Sequence, residues 1–319
     1  MMGRQRRMTF WLLPLTFATG FLLALNWERG TFGGGSASRS NARRMAAASL
    51  EESEQRRPLL RVLGDSLHFW SRGKRLDDRL VHLDLKGAPP RIPYLTSLLP
   101  LLKQLGATGL LVEYEDMFPY SGNLSMLAQA DAYSPEDIAQ LLQAAADNQL
   151  AVVPLVQTFG HLEFVLKHER FRHLREVDKY PQSICPSNPE TLPLLATMFD
   201  QLMALHPAID TVHMGGDEAY QVGEDFLCRQ QLAKRHQDSK QRLMLSHLTG
   251  VAEMLRKRYG DRLKRVLVWY DMFETAEVEL MNEYRMGELV TPVVWGYRPD
   301  VTEEGYFDPE TFVRFAKCF

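Results

Sequence analysis

The chain has 319 residues, with 37 basic against 40 acidic side chains and a net charge of −3. Such a balance gives no support for nucleic-acid binding, so no nucleic-acid partner is expected. Its three cysteines, Cys185, Cys228 and Cys318, are far apart and odd in number, which argues against a disulfide framework and against zinc-ligand spacing; buried free thiols are expected, with no metal and no cofactor.

In chain order, residues 1–7 read as a cytoplasmic tail carrying Arg4, Arg6 and Arg7. Met8–Trp27 carries no charge and has about the ~20 residues that a spanning helix needs. The arginine flank keeps the N-terminus in the cytoplasm, which predicts a transmembrane signal anchor over 8–27 and a single-pass type II protein with a lumenal domain in Golgi or ER. A cleaved signal peptide is the alternative, because Gly30–Ala37 offers small residues for processing. Residues 28–79, rich in Gly, Ser, Ala and Arg at their start, cannot bury enough apolar surface to fold and read as a flexible stem. Further on, Asn123-Leu124-Ser125 is a glycosylation sequon, usable only if the domain is lumenal.

From Leu80 to Phe319 short apolar runs alternate with amphipathic segments, the pattern of parallel strands with covering helices. Strands are predicted near Leu80–Leu85, Gly109–Tyr114, Leu150–Val156, Thr211–Met214, Arg265–Trp269 and Val290–Trp295. Helices are predicted over Tyr94–Leu105, Pro135–Asn148, Leu192–Leu205, Gln241–Tyr259 and Pro309–Lys317. Ser134-Pro135-Glu136-Asp137 is a helix start, with a capping serine, proline at the first helical position and acids in the first turn. The fold expected is an α/β barrel of the TIM (β/α)8 type. About six strands stand where a closed barrel has eight and typically ~250 residues, so the barrel over 80–319 is expected to be incomplete at its C-terminal side.

The most informative stretch is Asp210-Thr211-Val212-His213-Met214-Gly215-Gly216-Asp217-Glu218, an apolar strand that ends in two glycines and two carboxylates. Strand ends are where such barrels carry their chemistry, and the glycines let the backbone turn sharply there. Three further segments accompany it: Val81-His82-Leu83-Asp84-Leu85-Lys86-Gly87-Ala88-Pro89-Pro90, Glu113-Tyr114-Glu115-Asp116-Met117-Phe118-Pro119-Tyr120 and Pro154-Leu155-Val156-Gln157-Thr158-Phe159-Gly160-His161. Together the four motifs, covering about Leu80 to Pro299, resemble in kind and order those of the family 20 glycoside hydrolases, the β-N-acetylhexosaminidases, and within them the hexosaminidase D branch.

The resemblance implies hydrolysis of terminal β-linked N-acetylglucosamine or N-acetylgalactosamine from glycoconjugates. It implies a retaining, substrate-assisted reaction in which the substrate's own acetamido oxygen attacks the anomeric carbon. Glu218 would be the general acid, and Asp217 would hold the acetamido N–H. That chemistry asks for Glu218 with a raised pKa and Asp217 ionised. Trp269 and Trp295, each ending an apolar run, would line the acetamide pocket, with core packing as the plain alternative. The Tyr297 hydroxyl would bind the acetamide carbonyl. His161 and His213 would position carboxylates and substrate, or act as hydrogen-bonded structural residues. Asp84 and Glu115, at the mouths of the first two strands, could bind sugar hydroxyls or cap loops.

Three departures stand out. Tyr270 and Gly296 occupy places where the hexosaminidase D branch commonly has an aspartate, and Val81–Lys86 lacks the sugar-binding arginine of lysosomal relatives. The absent arginine fits the hexosaminidase D branch, but the missing strands and the two lost aspartates give the alternative reading, a catalytically weak or inactive carbohydrate-binding fragment. The same branch offers cytoplasm and nucleus as the alternative location, and a homodimer is an open expectation for the assembly. A metal-dependent barrel hydrolase would want a His-x-His pair on an early strand, and His82 has no such partner.

Overall fold

The computed structural model describes residues 12–14, 76–300, 303 and 306–319. The chain divides into two units, Leu15–Asp77 and a second made of Met1–Pro14 with Asp78–Phe319. Every strand and helix of the described residues lies in the second.

That unit is built on one curled sheet of seven parallel strands. In spatial order they are β1 (Leu12–Pro14), β2 (Leu80–Asp84), β3 (Gly109–Glu113), β4 (Ala151–Leu155), β7 (Thr211–His213), β8 (Arg265–Trp269) and β9 (Thr291–Val293). Between β4 and β7 the chain inserts an antiparallel hairpin, β5 (Arg175–Val177) and β6 (Tyr180–Ile184). The main helices are α1 (Ile92–Gln104), α2 (Pro135–Asp147), α4 (Thr191–Leu205), α5 (Phe226–Arg235) and α6 (Lys240–Tyr259), with short α3 (Glu163–Leu166), α7 (Val278–Glu283), α8 (Met286–Leu289) and α9 (Pro309–Phe315). The α2 start forms as its sequence predicts: Ser134 Oγ accepts from Asp137 N–H at 3.1 Å, and Asp137 Oδ2 accepts from Ser134 N–H at 2.9 Å. That reciprocal capping box satisfies two backbone donors at once.

Period-two alternation divides each strand between two faces. Leu110 and Val112 of β3, Val212 of β7, and Val266 and Val268 of β8 join the large core under the helices. Leu111, Val153, Leu155, Leu267, Trp269 and Val293 meet on the opposite, concave face. The parallel register aligns this inner set across the sheet, pairing Asp84 with Glu113, Glu113 with Leu155, Leu155 with His213, His213 with Leu267, and Trp269 with Val293. The concave face therefore changes from aliphatic to charged and aromatic at the C-terminal ends of the strands.

The architecture is that of a curled parallel half-barrel of TIM type, and one expectation is corrected. Leu12–Pro14, inside the uncharged run expected to span a membrane, is a strand paired in parallel with Leu80–His82. No helix among the described residues is long and apolar enough to cross a membrane. The remainder of 8–27, and the stem expected over 28–79 apart from Leu76–Arg79, lie outside the described residues. The expected single-pass type II topology with a lumenal domain is therefore overturned. An apolar run reads alike as a span and as a strand entering a parallel sheet, and here the sheet edge claims three residues of its first half.

Candidate active site

At the C-terminal ends of the strands lies an open depression of about 500 Å³ lined by His82, Asp84, Lys86, Glu113, Gln157, His161, Asp217, Glu218, Trp269, Trp295 and Tyr297. Seven of the nine residues singled out from sequence are thus brought together. The two others are His213 and Glu115.

Asp217 and Glu218 sit on the loop that leaves β7. Gly215 and Gly216 have φ of +59° and +88°, the left-handed region glycine enters without steric cost. Glu218 itself has φ +47° and His161, facing it, φ +53°. Left-handed backbone at non-glycine residues is uncommon and concentrates at functional sites. His161 Nε2 lies 3.0 Å from Glu218 Oε2 and 3.5 Å from Asp217 Oδ2, so one ring nitrogen addresses both acids. This contact depends on Gly160, where an added Cβ would stand 2.1 Å from the Asp217 carbonyl oxygen and 2.9 Å from the Ala219 nitrogen. From β6, the Gln182 amide donates to the Glu218 carbonyl at 2.6 Å.

Asp217 is the acid whose proton affinity the fold changes most visibly. Burial pushes its pKa up to about 7; the His161 charge opposes this, and the Glu113 and Asp271 charges add to it. Its Oδ1 is buried with no hydrogen-bond partner. An acceptor without a donor inside a pocket favours the protonated form until a ligand supplies an N–H. Asp217 is thus poised differently from the expectation that it is ionised.

Glu113 was missed by sequence reasoning and is central. Burial works against its charge, but the hydrogen bond and charge of His82, the Lys86 ammonium and the Gln157 amide outweigh it and hold the carboxyl at about 2. His82 Nε2 lies 3.1 Å from Glu113 Oε2, and Gln157 Nε2 donates to Oε1 at 2.8 Å. The same Gln157 accepts from the Gly216 N–H at 3.3 Å, which connects this ionised carboxylate to the loop bearing Asp217. The available signal was a charged residue ending the apolar strand Gly109–Val112, together with period-two spacing that sets Glu113 on the face of Leu111.

Lys86, also missed, pairs with Asp84 at 3.1 Å and Glu115 at 3.4 Å. It puts a cation near the place of the missing arginine. Glu115 turns to Lys86 and does not line the depression; burial pushes its pKa up to about 8, opposed by the Lys86 charge and helped by Glu113 and Asp84. His213 is fully buried, accepts from the Gly215 N–H through Nδ1 at 2.9 Å and lies under Trp269 with ring centroids 4.2 Å apart. Burial, with the His82 charge, depresses its pKa to about 3 against the opposing Glu113 charge. A neutral imidazole there shapes the loop and the tryptophan above it.

Trp269 and Trp295 form the wall, and Tyr297, 76 % exposed, meets the Trp295 ring edge-on at 5.4 Å. Asp271, two residues past Trp269, accepts from the Glu218 N–H at 2.8 Å and from the Trp295 indole at 3.1 Å. Sequence inspection noted Tyr270 as a lost aspartate and passed over this neighbour.

Residues 93–297 match the family model described as glycosyl hydrolase family 20, catalytic domain. Over 227 residues, 71 % of the chain, the sequence is 48 % identical to hexosaminidase D of Bos taurus and 46 % identical to hexosaminidase D of Homo sapiens, covering 65 % and 46 % of those proteins. The chain thus spans about two thirds and just under half the length of these curated relatives. Among solved structures it is similar in fold to the β-N-acetylhexosaminidase of Bacteroides fragilis, with a TM-score of 0.52 at 19 % identity, covering 62 % of this chain and 42 % of that one. It is likewise similar to the Flavobacterium johnsoniae chitobiase, with a TM-score of 0.54 at 17 % identity, covering 74 % and 43 %.

Proposed function

The chain belongs to glycosyl hydrolase family 20, and from that premise we propose that it is a β-N-acetylhexosaminidase that removes terminal non-reducing N-acetylhexosamine by substrate-assisted, retaining hydrolysis. The observation that carries this reading is the pair of adjacent acids held by one imidazole nitrogen, at 3.0 and 3.5 Å, beneath an aromatic wall. In the first step Glu218 gives its proton to the glycosidic oxygen as the C1–O bond breaks, and the acetamido oxygen bonds to C1 from the opposite face. Asp217 accepts the acetamido N–H and balances the positive charge of the oxazolinium-like intermediate. In the second step Glu218 takes a proton from water, whose oxygen attacks C1 and reopens the ring with net retention.

Trp269 and Trp295 offer flat apolar faces for the sugar and the acetamide methyl, and the Tyr297 hydroxyl offers a donor for the acetamide carbonyl. Asp84 and Lys86 stand at the rim for ring hydroxyls. Glu113, the other carboxylate of the depression, has both oxygens engaged by His82 and Gln157, which disfavours it as a covalent nucleophile.

The test follows from the division of labour between the two acids. Glu218→Gln should depress hydrolysis strongly for poor leaving groups and little for activated aryl glycosides, which need scant acid assistance. A thiazoline resembling the cyclised intermediate should bind more tightly than substrate. Equal losses on both substrate types would remove Glu218 from the acid role, and a trapped glycosyl-enzyme adduct would replace the substrate-assisted path with a protein nucleophile.

A further inference from the structure

Behind the loop that carries Asp217 and Glu218 lies a second group of chemically capable side chains, none of which lines the depression. Glu176 comes from β5, Cys185 follows β6, Cys228 lies in the first turn of α5, and Asp225 caps that helix. Glu176, Cys185 and Cys228 are 2 %, 1 % and 0 % exposed. Cys185 Sγ is 3.3 Å from Cys228 Sγ and 3.4 Å from Asp225 Oδ1, and Cys228 Sγ is 3.1 Å from Glu176 Oε2. The ligating atoms of Glu176 and the two cysteines all fall within 4.8 Å of one another.

The charge of this group points beyond packing. A buried carboxylate is ordinarily paired with a cation or a metal. The partners seen for Glu176 are two backbone N–H groups, of Glu224 at 2.5 Å and Asp225 at 3.1 Å, and the Cys228 thiol. Both N–H groups go to Oε1, so the carboxylate is oriented from behind while Oε2 faces the sulfurs. That is the arrangement by which outer hydrogen bonds aim a metal-ligating carboxylate.

We propose that Glu176 Oε2, Cys185 Sγ and Cys228 Sγ form a binding site for a thiophilic divalent cation, Zn²⁺ in the first instance, with a water molecule completing the coordination. With Zn–S near 2.3 Å and Zn–O near 2.1 Å, the edges of a tetrahedral site are about 3.5–3.8 Å. The 3.3 Å between the two sulfurs and the 3.1 Å from Cys228 Sγ to Glu176 Oε2 therefore need to open by only about half an ångström. Each thiol loses its proton to solvent as its sulfur ligates, so the cation's two charges balance the two thiolates, and the Glu176 carboxylate gains a direct ionic partner while leaving the bound site with one net negative charge.

The position gives the ion a bracing role. Next to Cys185, Ile184 donates its N–H to the Phe159 carbonyl at 3.0 Å, and Gln182 holds the Glu218 carbonyl at 2.6 Å. Cys228 follows closely on the loop bearing both acids. One ion would tie the hairpin to the helix and so fix the catalytic loop at its far end.

The experiment is a Co²⁺ titration of the full chain, reduced and chelator-treated, under anaerobic conditions. One equivalent should produce a thiolate-to-cobalt charge-transfer band with the intense visible bands of a tetrahedral site, and Zn²⁺ should abolish both. Cys228→Ser and Cys185→Ser should each weaken the charge-transfer band and together remove it, and Glu176→Gln should weaken Co²⁺ binding by more than the roughly 10- to 100-fold that loss of an outer hydrogen-bond partner costs, with circular dichroism confirming the fold of each variant. The wild-type titration decides alone. Absence of the band in a folded chain whose thiols titrate as reduced overturns the site, as does recovery of the chain solely with a Cys185–Cys228 disulfide.

Discussion

The Asp271 carboxylate holds the backbone N–H of Glu218 at 2.8 Å, although the two residues lie on loops that leave different strands. Its other oxygen accepts from the Trp295 indole at 3.1 Å. One side chain thus fixes the loop of Glu218 and the orientation of the aromatic wall. Burial pushes its pKa upward, while the two donors work in the opposite direction.

Asp271→Asn keeps one acceptor oxygen and presents an amide N–H to whichever donor loses it. A lost hydrogen bond to a charged group is worth about 1.5–3 kcal/mol, so kcat on a glycoside with a poor leaving group should fall roughly 10- to 100-fold. Because Asp271 acts through Glu218, the loss should be much smaller on an activated aryl glycoside, as for Glu218→Gln. Trp295→Phe, which leaves the Glu218 N–H bond intact, should cost less in kcat and more in KM. Unchanged kcat in Asp271→Asn would show that Glu218 is positioned by other contacts.

Asp217 yields a prediction about pH. Its carboxyl is raised to about 7, first by burial, and the proposed mechanism needs it ionised. The acid limb of kcat/KM, which reports the free enzyme, should therefore fall near pH 7, whereas that of kcat should lie lower once the acetamido N–H is bound. The stability effect has the opposite sense. A carboxyl with a raised pKa stabilises the fold below its unfolded value and loses that contribution as pH rises through the folded one. Asp217→Asn should accordingly be more stable than wild type above pH 7, by up to ~4 kcal/mol, and equal to it below about pH 4. Urea unfolding at both pH values checks this, and a variant weaker at pH 8 would contradict the assignment.

Much of the fold was legible because both of its periodicities are strong. Arg265–Trp269 is a strand to the residue, and the Ser134 cap starts α2 where its turn chemistry says it should. The hairpin of β5 and β6 was not legible, since Arg175–Val177 and Tyr180–Ile184 lack an apolar alternation of their own and owe their pairing to the surrounding loops. At the site, the dyad and the tryptophans were visible as residues ending strands. Glu113, His82 and Gln157 were hidden because their importance is relational: it needs the register that sets three neighbouring strands side by side. The two cysteines, 43 positions apart, illustrate the same limit, because sequence spacing does not report closeness across a hairpin and a helix.

Gly160 provides the sharpest steric test. A Cβ there would press on the Asp217 carbonyl oxygen at 2.1 Å and on the backbone of Glu218 and Ala219 at 2.9 Å, none of which is a flexible side-chain end. Gly160→Ala must therefore move either the His161 loop or the dyad loop. A 1 Å misplacement can cost about 100-fold in rate, so activity should fall at least that far, with a stability loss of about 1–3 kcal/mol from overpacking. Gly250 is the matched control, as it lies within α6 and its added Cβ would meet only Leu192 Cδ1 at 3.9 Å. Gly250→Ala should stabilise the chain by about 0.5–1 kcal/mol through helix propensity and leave kcat unchanged. Thermal unfolding and steady-state kinetics on the two variants separate the effects. If Gly160→Ala retained wild-type kcat, the close approach of the His161 loop to Asp217 and Glu218 would not be what holds the dyad in place.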